Sequence, residues 1–365
     1  LKTIVLGGYG NFGARICKAL ADAPGIELVV AGRDRQKALT LAASLNAEAA
    51  VIDIGSPALA ARLQELGAQL VIHTAGPFQQ QGYAVAHAAA DAGAHYIDLA
   101  DGRRFVCDFP TELDAAFRKR GLVGISGVSS VPTLSSAAVD HLASGWRSID
   151  TIDSCIAPAQ TAPRGVATME AVLSYCGEAI QVWQDGAWST QHGWAKPVRI
   201  NYARMRPRIA ALCDIPDLEL FPIHYKGVRS VMFRAALEVG MGQRGLAFIA
   251  ALRRAGLVRR PQAFAGFLNK AASLLDPFGT SLGGMVVRVS GIDADGKAVR
   301  RAWHLAADHD HGPEIPSMAA IVLARQIAAG SFDRPGAHAG IGLLTLADFA
   351  PEFAKWGIVT DVAEE

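Results

Sequence analysis

The sequence predicts an α/β chain in which a doubly wound parallel sheet is interrupted by an α+β domain with a mixed or antiparallel sheet. Three observations lead there. Short apolar runs alternate with helical patterns through the first third of the chain, a glycine-rich turn closes the first of those runs, and from about Ser148 the runs become longer and alternating. At 365 residues the chain also exceeds the roughly 250–300 at which one core stops growing. The expected division is a nucleotide-binding domain over 1–130, a substrate and dimerisation domain over 131–312, and C-terminal helices over 313–365 returning to the first domain.

Lys2–Leu6 reads as a strand, closed by Gly7-Gly8, and Asn11–Ala23 as a helix carrying Phe12, Ile16, Ala19 and Leu20 at helical spacing. Pro24-Gly25 stops it. Strands follow at Glu27–Ala31, Ala49–Asp53, Leu70–His73, His95–Leu99 and Leu122–Ser126. Helices over Arg35–Leu45, Pro57–Leu66, Tyr83–Ala92 and Pro110–Lys119 separate them. Such near-continuous apolar strands joined by helices are βαβ crossovers buried on both faces. Farther on, Thr151–Ala157, Val198–Tyr202, Arg229–Glu238, Met285–Ile292 and Ala298–Ala306 alternate as strands. Asp293-Ala294-Asp295-Gly296 marks a hairpin between the last two. A helix from Ile315 ends at Gly330.

With 51% hydrophobic and 19% charged residues the chain has ample material for a core, and a net charge of +1 gives no electrostatic footprint for nucleic acid. The five cysteines are scattered and never form a CxxC pair, as in a reducing compartment. No apolar run approaches the ~18 residues that span a bilayer, and no signal-peptide pattern precedes the first strand. The expectation is a soluble, cytoplasmic protein.

Gly8-Tyr9-Gly10-Asn11-Phe12-Gly13 is a GxGxxG sequence placed after a strand and at the opening of a helix. In that context it is the dinucleotide fingerprint of a Rossmann fold. The glycines permit the tight turn, the approach of a pyrophosphate and close helix–strand packing. Where the second strand ends, an NAD enzyme carries an acidic residue for the ribose 2′-hydroxyl. Here Ala31-Gly32-Arg33-Asp34 places a glycine and then an arginine. Arg33 suits a 2′-phosphate, with Arg35 and Lys37 adding charge, so NADP is the expected cofactor. The alternative is NAD bound through Asp34.

The strings Gly7–Gly13, Ala31–Asp34, Thr74-Ala75-Gly76-Pro77-Phe78, His95–Leu99 and Ser126–Pro132 together resemble the saccharopine dehydrogenase-like oxidoreductases. The resemblance is strong over residues 1–140, diffuse in the middle, and returns weakly at Gly312–Ala329 and Gly340–Leu346. It implies a nucleotide domain interrupted by a substrate domain, and a homodimer. It also implies that Ala75, Gly76, Pro77 and Phe78, with Tyr96 and Asp98, lie beside the ribose and nicotinamide, and that Asp53 lies near adenine. Relatives continue Tyr-x-Asp with Gly-Glu, whereas Ala100-Asp101-Gly102 stands here, so the lysine-pathway substrate does not transfer.

The candidate catalytic residues are Tyr96, Asp98 and Asp101, all at or just beyond a strand end. Asp98 is equally a turn residue, and His73 reads as a structural histidine. His304, Asp308, His309, Asp310, His311 and Glu314 are dense in ligand-capable groups but lack catalytic zinc spacing, so no metal is expected. Arg164 and Arg229 are alternatives for holding a substrate carboxylate. The expected function is NADP-dependent hydride transfer to or from a C=N, C=O or C=C bond of a small amino-acid-like or acyl substrate. The alternative is a non-catalytic or membrane-associated NADP-binding scaffold. Dimerisation is expected through the long apolar strands Arg229–Glu238 and Met285–Ile292. Gly245–Pro277 reads as a helical hairpin with apolar stripes Leu246, Ile249, Leu252 and Phe264, Phe267, Leu268, Ala271, Leu274, Leu275. Between them lie Arg253, Arg254, Arg259 and Arg260. It is either packing on the middle domain or a lid that covers an acyl chain or touches a membrane.

Overall fold

The computed structural model describes residues 1–163 and 165–365. The chain begins with β1 (Lys2–Leu6), α1 (Asn11–Leu20), β2 (Glu27–Gly32), α2 (Arg35–Ser44), β3 (Glu48–Val51), α3 (Leu59–Glu65) and β4 (Leu70–His73). It continues through α4 (Ala84–Asp91), β5 (His95–Asp98), α5 (Arg103–Arg118), β6 (Val123–Ser126) and α6 (Ser135–Leu142). Then come β7 (Ser148–Ala157), α7 (Val166–Tyr175), β8 (Ala179–Gln184), β9 (Ala187–His192), β10 (Val198–Ile200), β11 (Arg208–Leu212), α8 (Asp217–His224) and β12 (Ser230–Leu237). Next are α9 (Gly240–Arg254), α10 (Ala265–Ser273), β13 (Gly283–Ile292), β14 (Ala298–Ala307), α11 (Ile315–Ala328), β15 (Gly336–Ala339), α12 (Leu346–Lys355) and β16 (Val359–Glu364). These fall into two compact units: Leu1–Thr133 with Glu314–Ile341, and Leu134–Pro313 with Gly342–Glu365.

The first unit is a seven-stranded parallel sheet in the order β15-β6-β5-β4-β1-β2-β3. Ile4, Val5 and Leu6 of β1 and Val71 and Ile72 of β4 have no exposed surface, because helices cover both faces of the sheet. The strand order reverses at β1, where β4 and β2 flank it, and such a switch point opens a crevice beyond the strands' carboxyl ends. β15, which the sequence reading did not assign, adds a seventh strand beside β6. Its Gly-Ala-His-Ala sequence offers no β-branched or aromatic signal. Helix α5 begins at Arg103, not at Pro110. Phe105, Val106, Phe109, Leu113 and Phe117 form one buried stripe, whose burial outweighs the hydrogen bond lost at Pro110. Helix α11 lies against α1, and Arg325 Nη2 donates to the Ala19 carbonyl at 3.0 Å.

The second unit is a nine-stranded sheet ordered β10-β11-β12-β7-β13-β14-β16, with the β8–β9 hairpin paired to β12. It is antiparallel except where β12 runs parallel to β7. Asp293 organises the β13–β14 hairpin by accepting from the amides of Asp295 and Lys297, both at 2.9 Å. Two expectations need correcting. Residues 342–365 cluster with this unit, since β16 pairs with β14, so the return of 313–365 to the first unit stops at Ile341. The strands expected to carry dimerisation by a face or an edge, β12 and β13, have no free edge: β12 lies between β11 and β7, and β13 between β7 and β14. The edges of the main run are β10 and β16, and β9 is the free edge of the β8–β9 branch.

Candidate dinucleotide site

The turn after β1 is a backbone construction. Gly7 takes φ +77°, which a side chain would resist, and lets the chain reverse. The Gly8 amide then donates to the Ala31 carbonyl at 2.9 Å and the Gly10 amide to the Gly7 carbonyl at 2.8 Å. Gly10 is the N-cap of α1 and supplies no side-chain cap, which leaves the first-turn amides, including those of Phe12 and Gly13, directed at an incoming anion. A Cβ on Gly13 would run into the Gly7 carbonyl and lie 2.8 Å from Thr74 Oγ1, so only glycine lets α1 pack this close to the strands. Thr74 Oγ1 in turn donates to the Leu6 carbonyl at 2.8 Å and ties the end of β4 to the turn. A cradle that any side chain would fill fits a pyrophosphate.

At the end of β2, Tyr9 lies across Gly32, where a Cβ would strike its ring, and the Asp34 amide donates to the Tyr9 hydroxyl oxygen at 2.8 Å. Asp34 is the N-cap of α2: its Oδ1 accepts from the Lys37 amide at 3.0 Å. Its carboxylate is thus engaged by the helix it starts, and Lys37 Nζ stands 3.7 Å from it. Arg33 and Arg35 are exposed and form no ion pair among the described residues. Asp53, two residues beyond β3, is exposed and closes its own turn by accepting from the Gly55 amide at 3.0 Å.

The loop after β4 is held from within. Gln81 Nε2 donates to the carbonyls of Ala75 at 2.8 Å and Pro77 at 3.0 Å, and the Gly76–Pro77 peptide is cis. Phe78 is buried edge-on against His73, with ring centres 5.0 Å apart, while Gly76 stays exposed at the rim. His73 is buried and burial pushes its pKa down to about 4, so it is neutral near pH 7.

Tyr96 has no exposed surface. Its ring stacks on Phe109 at 5.7 Å and its hydroxyl lies 3.0 Å from His73 Nδ1. Burial, with the Asp98 charge second, raises its pKa well above the ordinary range. Asp98 is also fully buried. Its Oδ1 accepts from the amides of Ala100 and Gly127, both at 2.9 Å, and from Ser126 Oγ at 3.0 Å. Burial lifts its pKa to about 6 against the pull of those donors. Tyr96 and Asp98 have no surface open to solvent, and Asp98 ties the loops that follow β5 and β6 together. Asp101 is the one of the three candidates that solvent reaches. Gln79 Nε2 donates to its Oδ1 at 2.9 Å, and desolvation raises its pKa above the ordinary value. The bracing glutamines Gln79 and Gln81 were not singled out from sequence. Their position beside Gly76-Pro77-Phe78 is the signal that pointed to them.

The histidine- and aspartate-rich segment does not converge. Asp308 accepts from Ser281 Oγ at 2.6 Å, Asp310 from Thr161 Oγ1 at 2.6 Å, and His311 Nδ1 lies 2.8 Å from the Trp356 carbonyl. Glu314 pairs with Arg15 at 2.8 Å, and the Ala203 amide donates to His304 Nδ1 at 3.3 Å. Among the described residues, no three His, Cys, Asp or Glu side chains are placed to hold a metal. Arg229 is exposed beside β12, and Arg164 lies outside the described residues.

Residues 3–124 match the family model described as the saccharopine dehydrogenase NADP binding domain. No curated protein matches the chain by sequence. Among solved structures, apo histidine-tagged saccharopine dehydrogenase (L-Glu forming) from Saccharomyces cerevisiae is similar with a TM-score of 0.71 at 13% identity, over 100% of this chain and 99% of that one. Homospermidine synthase from Legionella pneumophila, in complex with NAD, is similar with a TM-score of 0.63 at 8% identity, over 100% of this chain and 91% of that one. At these identities the likeness establishes the fold. Residues 3–124 therefore form a saccharopine dehydrogenase NADP binding domain, and the chain as a whole shares the α/β fold of these structures.

Proposed function

We propose that this protein is an NADP-dependent oxidoreductase that moves a hydride to or from a C=N, C=O or C=C bond of an amino-acid-like or acyl substrate. The observation that carries the reading is the pairing of a side-chain-free turn after β1 with two unpaired arginines, Arg33 and Arg35, after β2. The turn, with Tyr9 and Asn11 at its rim, receives the pyrophosphate, and the arginines meet a 2′-phosphate. Asp34, the contact an NAD site would use, is already committed to capping α2. The bound nicotinamide supplies the hydride chemistry. The chain's own residues do the rest. The loops Thr74–Phe78, Leu99–Gly102 and Ser126–Val128 follow β4, β5 and β6 at their carboxyl ends, where ligands of such sheets bind. Asp98 fixes the second and third of these loops relative to each other through its three accepted hydrogen bonds. Asp101, solvent-reached and with a raised pKa, is the group that handles the substrate proton.

The test is NADPH oxidation with imine, ketone and enoyl compounds, alongside Asp101→Asn. NADPH binding without turnover of any of the three classes would favour the scaffold reading, which the complete burial of Tyr96 and Asp98 supports. A homodimer belongs to the same proposal. It would be formed through an edge strand, since Val198 of β10 and Val359 and Val362 of β16 are exposed at 36%, 41% and 53%.

A further inference from the structure

Seven of the large hydrophobic side chains left exposed fall within residues 241–278. Helix α9 turns Gln243, Leu246 and Ala250 inward and Met241 and Phe248 outward, exposed at 66% and 64%. The 3₁₀ turn Pro261–Phe264 and helix α10 bury Pro261 and Ala265. The apolar stripe seen in the sequence is divided: Leu268, Ala271 and Leu275 are half-buried, while Phe264, Phe267 and Leu274 are exposed at 56%, 72% and 75%. Leu257, in the connection between the helices, is exposed at 74%. A Cβ on Gly242 would lie 3.7 Å from Leu275, so the start of α9 meets the chain just past α10, while α10 itself packs on α7. Apolar side chains turned outward on two successive ordered helices need a partner.

Charge identifies the partner. Residues 239–275 carry Arg244, Arg253, Arg254, Arg259, Arg260 and Lys270 and not one Asp or Glu. Removing these six from the 35 basic residues leaves 29 against 34 acidic ones, so the chain's positive charge is gathered here. Arg253 is spent internally, donating to the Ser174 carbonyl at 2.8 Å and pairing with Glu178. The other five are exposed around the apolar side chains. Two copies meeting through this face would oppose like charges. An anionic lipid surface offers both an apolar interior and negative headgroups. No helix among the described residues is long and apolar enough to cross a membrane, so contact lies in the interface plane. We propose that the α9–α10 segment docks the protein on anionic lipid bilayers, inserting Phe248, Leu257, Phe264, Phe267 and Leu274 among the acyl chains while the arginines engage the headgroups.

The test is co-sedimentation of the full chain with vesicles of phosphatidylglycerol and phosphatidylcholine, against vesicles of phosphatidylcholine alone. Binding is expected to the anionic vesicles and to weaken with salt. The double variant F267D/L274D is expected to lose at least about tenfold in partitioning, and R259E/R260E to lose the preference for anionic lipid. All four side chains are exposed, so NADPH affinity and thermal unfolding should stay at wild-type values and certify the fold. Wild-type protein left in solution with every vesicle composition overturns the proposal, as does F267D/L274D binding as well as wild type. A larger particle in sedimentation velocity that F267D/L274D reduces, with vesicles ignored, overturns it in favour of a second copy on this face.

Discussion

Replacing Asp98 by asparagine probes the bracing of the site directly. The carboxyl is fully buried, and burial raises it from 3.8 to about 6 although three donors favour the charged form. At about 1.4 kcal/mol per pH unit, that difference corresponds to about 3 kcal/mol between the two protonation states. Because the folded-state pKa lies above the unfolded one, this group's contribution is fully present below about pH 4. It is lost as the pH rises through about 6. Asparagine keeps an oxygen for the Ala100 and Gly127 amides and the Ser126 hydroxyl but cannot ionise. The stability of Asp98→Asn relative to wild type should therefore improve by about 3 kcal/mol between pH 4 and pH 7.5 and level off beyond. Comparing the two proteins cancels every other titration. Asp98→Ala leaves all three donors without their acceptor and should be destabilised at every pH, by about 1–3 kcal/mol for each donor left buried. Urea unfolding followed by a probe in the first unit reads both. A difference between Asp98→Asn and wild type that stays flat from pH 4 to 7.5 would falsify the assignment of this carboxyl as a strained internal brace.

Other consequences concern the cofactor turn and the chemistry. Arg33→Ala should weaken NADPH about tenfold and leave NADH unchanged, a charge-assisted contact discounted for exposure; isothermal titration with both cofactors checks it, and an equal loss for the two would remove the 2′-phosphate role. Gly13→Ala forces a methyl group into the Gly7 carbonyl and should cost about 1–3 kcal/mol of stability. Gly10→Ala meets only the Gly7 carbonyl at 3.0 Å and should keep the fold while weakening NADPH, so urea melts and titrations on the pair separate packing from binding. Asp101→Asn should lower kcat at least about 100-fold without changing NADPH affinity, and unchanged turnover with a responsive substrate would move proton handling elsewhere. Light scattering should give roughly twice 38.4 kDa, and a 38.4 kDa particle at micromolar concentration would count against the edge-strand dimer.

The parallel sheet was legible because its strands announce themselves twice, by apolar runs and by the turns that end them. Gly7-Gly8 closes β1, and Gly32 with the cap residue Asp34 closes β2. The strands missed differ: β15 has neither signal, whereas β8 alternates and Asp185-Gly186, both at positive φ, marks the turn to β9. β15 is Gly-Ala-His-Ala and is a strand only because β6 offers it a partner. β8 and β9 expose half of their residues and take shape through pairing with each other, β8 also meeting β12. Within the site, the residues were found more readily than their roles. Tyr96 and Asp98 stand at the end of a strand, where function concentrates, but β5 lies inside the sheet between β4 and β6. At an interior strand end the last side chains are covered by the loops on both sides. Residue type alone does not distinguish a carboxyl aimed at a ligand from one aimed at the Gly127 amide. Asp101, three residues on, is past that cover.

The α9–α10 segment shows the same gap between pattern and partner. A stripe at 3.6-residue spacing tells that one side of a helix is apolar, and in most chains the side is inward because the core is the nearest apolar phase. For α9 that rule holds through Leu246 and Ala250. For α10 it holds only in part: the helix packs on α7, Ala265 is buried and Leu268 and Ala271 are half-buried, but Phe267 and Leu274 are left outside. What the sequence did carry was the absence of acid. A surface helix that faces water usually alternates charge signs, and 37 residues with six bases and no carboxylate do not. Periodicity located the apolar face, and charge says what the face is turned toward: a surface that is itself negative.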